Sequence, residues 1–95
     1  MKASKTKTSF YRRLLVAQLI SSGTNTVPAI QALTAMPRRT AQDTISALAE
    51  LGICCEFIGA TKDGYYHISN WGPINPEWVN NNMVEITELL NYTLE

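Results

Sequence analysis

Apolar residues along the 95-residue chain follow two different spacings, and the change from one to the other outlines the elements. From Phe10 onward, Leu14, Leu15, Val16, Leu19 and Ile20 form a wide stripe at helical spacing. Ser9 precedes it as a candidate N-cap, and Ser21-Ser22-Gly23 ends it, which predicts a first helix of about three turns. Val27-Pro28-Ala29 places a proline in a first turn, and Ile30, Leu33 and Ala35 continue as a short second helix. A third stretch, Met36 to Ile53, has Ala41, Ile45, Leu48, Ala49 and Gly52 on one face. Pro37 suits its first turn, and Gly52 suits a left-handed exit. Then the period changes. Ile53 to Ile58 and Tyr65 to Ser69 are rich in β-branched and aromatic residues, and Gly59 to Gly64 between them ends in Asp-Gly, which predicts a β-hairpin. Finally Asn75, Pro76 and Glu77 are a cap, a first-turn residue and a dipole-compatible acid for a last helix reaching about Leu94.

The order is therefore three helices, a hairpin and a helix, an α+β chain that is mainly α. A hydrophobic content of 45% in this length supports one core. A single domain spanning residues 1–95 is expected, with residues 1–7 as a mobile basic tail.

Charge sharpens this picture. The formal net charge is zero, yet residues 1 to 42 carry seven Lys and Arg and no acid, whereas residues 43 to 95 carry Lys62 against eight acids. A basic face is expected from the amino-terminal segment together with the start of the third helix. In that helix Arg38, Arg39, Thr40, Gln42, Asp43 and Thr44 crowd the first two turns, and these side chains suit phosphates and base edges. Two arginines at the positive end of a helix dipole are locally unfavourable and invite an anionic partner.

Other chemistry is poorly represented. His67 is the one histidine, and no acid pair, nucleophile elbow or metal-ligand spacing accompanies it, so no catalytic residue, metal or cofactor is expected. Cys54 and Cys55 are adjacent and fit a structural role in a strand. No apolar run is long enough to span a bilayer, and no leader pattern follows the basic start, so a cytoplasmic protein without membrane contact is expected.

Three helices followed by a hairpin, with the second and third joined by a tight turn, resemble the winged helix-turn-helix superfamily of DNA-binding bacterial regulators. The likeness covers about Phe10 to Ile68. It is carried by Thr40-Ala41 at the start of the third helix, Ile45 and Leu48 facing inward, and Leu51-Gly52-Ile53 leading into the hairpin. The strings L-T-A-M-P-R-R-T-A-Q-D-T-I-S-A-L and W-G-P-I-N-P-E-W-V resemble a group of small proteobacterial winged-helix proteins. The resemblance implies a winged helix-turn-helix with an added C-terminal helix over residues 75–94. It also implies double-stranded DNA as partner, the third helix in the major groove, and Lys62 at the wing tip near phosphate. A protein-interaction module on the same scaffold, using the acidic half or the Trp71 and Trp78 region, is the alternative. Val79, Met83, Ile86 and Leu90 recur like a coiled-coil seam, with Trp78 and Leu89 beside it, and a homodimer through this helix is expected.

Overall fold

The computed structural model describes residues 4–92. In chain order these form α1 (Lys5–Ser21), α2 (Val27–Thr34), α3 (Arg38–Ala47), a 3-10 turn at Leu48–Leu51, strands β1 (Cys54–Ile58) and β2 (Tyr65–Asn70), then α4 (Pro76–Asn81) and α5 (Met83–Leu90). This is a mainly helical winged helix-turn-helix fold with a two-stranded wing and an added helical C-terminus.

α1 is the hub. Leu14, Leu15, Val16, Ala17, Leu19 and Ile20 are all buried, so the second half of the helix is enclosed on nearly every side. It packs against α3, α4, α5 and β2. The helix also begins earlier than its apolar stripe indicates. Ser4, not Ser9, is the N-cap, its hydroxyl accepting from the Lys7 amide at 3.1 Å, and residues 5–7 of the expected tail are helical. A polar first turn needs no core of its own, because adding residues to an existing helix costs little once a cap satisfies its free amides. The Lys7 ammonium lies 5.4 Å from the Tyr11 ring one turn on, a cation–π contact that favours the same extension. Residues 1–3 of that tail lie outside the described residues.

The α2–α3 turn is held from within. Thr34 donates to the Ile30 carbonyl at 2.7 Å and accepts from the Met36 amide at 3.1 Å. Ala35 takes the left-handed conformation at φ 61°, so it caps α2 rather than continuing it. Met36 is fully buried, anchoring the turn in the core. Pro37 consequently occupies the cap position, and Arg38 is the first residue of α3. Further along, Ala41, Ile45 and Leu48 are buried as expected, whereas Ala49 is exposed because the last turn tightens into 3-10 geometry. Gly52 leaves at φ 83°, as its position predicts.

Gly72 lies directly against this exit. A Cβ there would collide with the Gly52 carbonyl oxygen, and its own φ is 59°. The chain leaving β2 therefore crosses the end of α3 backbone to backbone, at a separation that two glycines permit.

The C-terminal region departs most from expectation. Instead of one helix there are two, separated at Asn82 (φ −116°, ψ 19°), and the second ends at Leu90 with Asn91 left-handed. The Asn82 side-chain amide donates to the Trp78 carbonyl at 2.7 Å, a local bond that competes with the continuing helix at the end of the run Asn80-Asn81-Asn82. The seam is not free either. Val79 and Ile86 are fully buried and Met83 and Leu90 pack beside them, closing α4 and α5 onto α1. Leu94 lies outside the described residues.

Candidate nucleic-acid interface

α3 and the wing meet around an open cleft. The wing is an antiparallel pair with Cys55 opposite Ile68 and Phe57 opposite Tyr66. Its inner face thus presents Phe57 and Tyr66 as an edge-to-face pair, centroids 5.0 Å apart. Two contacts fix its position. The Tyr66 amide donates to the Asn25 carbonyl at 2.8 Å, which ties β2 to the loop before α2. The Phe57 ring lies on Gly64, where a Cβ would strike the ring, so the aromatic side chain packs against its own turn.

The cleft encloses about 600 Å³. Arg38 and Gln42 line it from α3, Lys62 and Thr61 from the wing turn, Thr26 from the start of α2, with Phe57 and Tyr66 below. Phe57 is 46% exposed, an aromatic surface left open to solvent among cations. Among the described residues neither Arg38 nor Lys62 makes an ion pair, so both charges are available to an anion. Each is brought there by a different kind of constraint, Arg38 by the buried turn ahead of α3 and Lys62 by the hairpin register.

The remaining residues of the expected site divide by helix face. Arg39 is exposed, its Nε 3.9 Å from the Asp43 carboxylate one turn on, a solvated pair of small energy. Gln42 and Asp43 are exposed, and Thr40 is half-buried at the edge of the helix toward α1. Thr44 is the correction. It is 7% exposed, and its hydroxyl donates to the Thr40 carbonyl at 2.7 Å. A threonine can satisfy its polar atom on the preceding turn and so occupy a core-facing position, which the list of polar types along α3 does not reveal.

Sequence reasoning missed Thr26, Phe57 and Tyr66. The two aromatics read as strand residues, and their place beside α3 depends on β2 being tied to the loop before α2. It is the register of the hairpin, Phe57 opposite Tyr66, that puts the two on one face, and the sequence of either strand carries no information about what that face meets.

The cysteines lie away from this cleft. Cys54 is exposed; Cys55 is half-buried, and burial, reinforced by the neighbouring Glu56 carboxylate, pushes its thiol pKa up. A raised pKa favours the inert thiol over the nucleophilic thiolate. Among the described residues no group of three His, Cys, Asp or Glu is placed to hold a metal ion, and no helix is long and apolar enough to cross a membrane.

Residues 5–90 match the family described as a winged helix-turn helix. The solved structure of a DUF2131 family protein from Shewanella amazonensis is similar, at 36% sequence identity over 96% of this chain and 91% of that one, with a TM-score of 0.89. Among curated proteins none matches.

Proposed function

The chain belongs to the winged helix-turn-helix family, and from that premise we propose that it binds double-stranded DNA and acts as a transcriptional regulator in the cytoplasm, without catalytic activity. α3 enters the major groove. Gln42 and Asp43 approach base edges, Arg39 a base edge or phosphate, and Arg38 and Lys62 the backbone along one side. Thr40 contacts backbone at the rim of the helix. Thr44, facing inward, holds the helix and touches no base.

The observation that carries this reading is the wing cleft, where two unpaired cations from separate elements, Arg38 and Lys62, flank a polar outward helix face. An isolated globular domain gains nothing from gathering like charges, whereas a polyanion neutralises them and releases its counterions. The wing tip is the weaker partner, because Asp63 adjoins Lys62 and offsets its attraction.

Fluorescence anisotropy of a labelled random duplex at two salt concentrations tests this directly. Binding that weakens steeply as salt rises is expected. Binding that is absent at low salt removes the reading.

A second reading rests on one observation. Trp78 is 43% exposed beside an apolar groove of about 260 Å³ lined by Phe10, Leu14, Ile74 and Val79, a surface suited to a protein partner. A homodimer through the C-terminal segment belongs with it. Since Val79 and Ile86 are committed to the core, such a dimer has to use the outward strip with Trp78 and the 73% exposed Val84. If it forms, twofold symmetry requires two half-sites about one helical turn, roughly 34 Å, apart. Light scattering at high protein concentration decides the matter, a monomeric mass excluding the dimer.

A further inference from the structure

α3 has a second flank, and it too holds a cation. On the side away from the wing, Ser9, Arg12 and Arg13 of α1 and Thr40, Asp43, Thr44 and Ala47 of α3 line a groove of about 290 Å³, the Thr44 hydroxyl there being taken by the Thr40 carbonyl. The two arginines differ in state. Arg13 is engaged, its Nη2 3.2 Å from the Glu50 carboxylate. Arg12 is not: among the described residues its Nε, shut off from solvent, has no hydrogen-bond partner, and no carboxylate lies within ion-pair distance of its guanidinium.

That Nε is closed to an outside ligand as it is to water, so any partner of this half-buried side chain has to meet the rest of its guanidinium. The groove offers one internal candidate, Asp43, whose carboxylate already sits 3.9 Å from Arg39 on the outer side of the helix. A guanidinium beside hydroxyl-bearing walls is instead a fork suited to a phosphate, with Ser9 and Thr40 as neutral donors. The position matters as much as the chemistry. Arg38 and Gln42 border the wing cleft while Thr40 and Ala47 border the α1 groove, so the two clefts run along opposite flanks of one helix. A major groove about 12 Å wide is walled by both phosphate backbones, and a helix lying in it has one strand on each side.

We infer that the α1–α3 groove is a second phosphate site, in which Arg12 holds the backbone of the strand opposite to the one the wing follows. The assignment rests on the DNA-binding reading above and deepens it. Two flanking clamps fix how deeply and at what angle α3 sits in the groove, while the base-facing residues between them supply sequence preference.

The test uses the full chain and a duplex that the parent binds at low salt. Arg12→Gln, which keeps an unbranched polar side chain, though a shorter one, without its charge, is expected to weaken binding in the same proportion on every duplex and to reduce the salt slope by about one. Arg12→Lys is expected to restore the slope. Single neutral methylphosphonates placed along both strands are expected to impair the parent at two clusters, one on each strand across the major groove, and to leave Arg12→Gln indifferent at one of them. An unchanged salt slope in Arg12→Gln overturns the inference while leaving DNA binding intact. If Arg12→Gln does not fold, the parent alone decides: sensitivity confined to one strand overturns the two-sided clamp. A parent that binds no duplex removes the DNA-binding reading and this site together.

Discussion

α3 and the C-terminal α4–α5 pair both carry an apolar stripe at helical spacing, and the fold uses them in different ways. α3 buries Ala41, Thr44, Ile45 and Leu48 along one narrow side, and Arg38, Arg39, Gln42 and Asp43 remain outside. α4 and α5 close onto α1 through Val79 and Ile86, and their outward surface bears Glu77, Glu85 and Glu88 together with Trp78 and Val84. The first region is cationic around an open cleft; the second is acidic and partly apolar. A polyanion approaching this small domain would be drawn to one and repelled by the other. Helical periodicity reports which side of a helix is buried, whereas the composition of the remaining side indicates what it is available for.

Exchanging a core residue for a cavity separates the two regions most strongly. Ile86→Ala removes a fully buried side chain and is expected to cost about 2–5 kcal/mol in denaturant unfolding, while DNA affinity per folded molecule stays at the parent value. Val84→Ala, on the exposed side of the same helix, is expected to stay within about 0.5 kcal/mol. Similar losses for both would show that α5 is not seated on α1 as described.

Replacing Arg38 and Arg39 together by Ala addresses the other region. Both side chains are exposed, so thermal unfolding should barely move, while DNA affinity falls. A residue that reads guanine costs about 1–3 kcal/mol at one base pair, and a phosphate contact lowers affinity uniformly and the salt slope by about one. Parental affinity in this variant would move the protein-interaction reading ahead.

Smaller effects refine the division of roles along α3 and the wing. Lys62→Ala should weaken binding evenly across sequences by less than the arginine pair, and a changed preferred sequence in a selection experiment would show instead that the wing reads bases. Thr44→Val keeps shape but loses the bond to the Thr40 carbonyl; it is expected to alter stability by about 1 kcal/mol or less and to leave DNA affinity unchanged. A specificity change in Thr44→Val would place that hydroxyl at the DNA after all. Smallest is a reactivity difference between the adjacent cysteines: exposed Cys54 should be alkylated before Cys55, whose thiol burial keeps protonated.

Much of the fold was legible because its signals are local. A proline in a first turn, a glycine at a helix exit and the loss of helical spacing in segments rich in β-branched and aromatic residues around an Asp-Gly turn are written within a few residues, and they located α2, the exit of α3, the wing and the N-cap at Asn75. Arg38, Arg39, Gln42 and Asp43 were legible as outward candidates because they fall off the apolar stripe, and Lys62 because it stands at the tip of the wing turn. The misplaced boundaries also have local causes, namely a serine cap at Ser4 ahead of any apolar residue and an asparagine side chain at Asn82 that competes for a helix carbonyl.

The element order, the inward face of α3 and the separation of cations from acids along the chain can be read from the residues alone, since each depends on neighbours a few positions apart. That Thr44 faces the core, that the Val79–Ile86 seam closes on α1 and that Phe57 and Tyr66 come to lie beside Arg38 are settled by how the segments pack. That packing also brings Arg12 of α1 to the far side of α3. These are encounters between segments tens of residues apart. They follow from how α1 is enclosed and how the hairpin is tied back to Asn25, and periodicity within one segment holds no record of what the next segment brings against it.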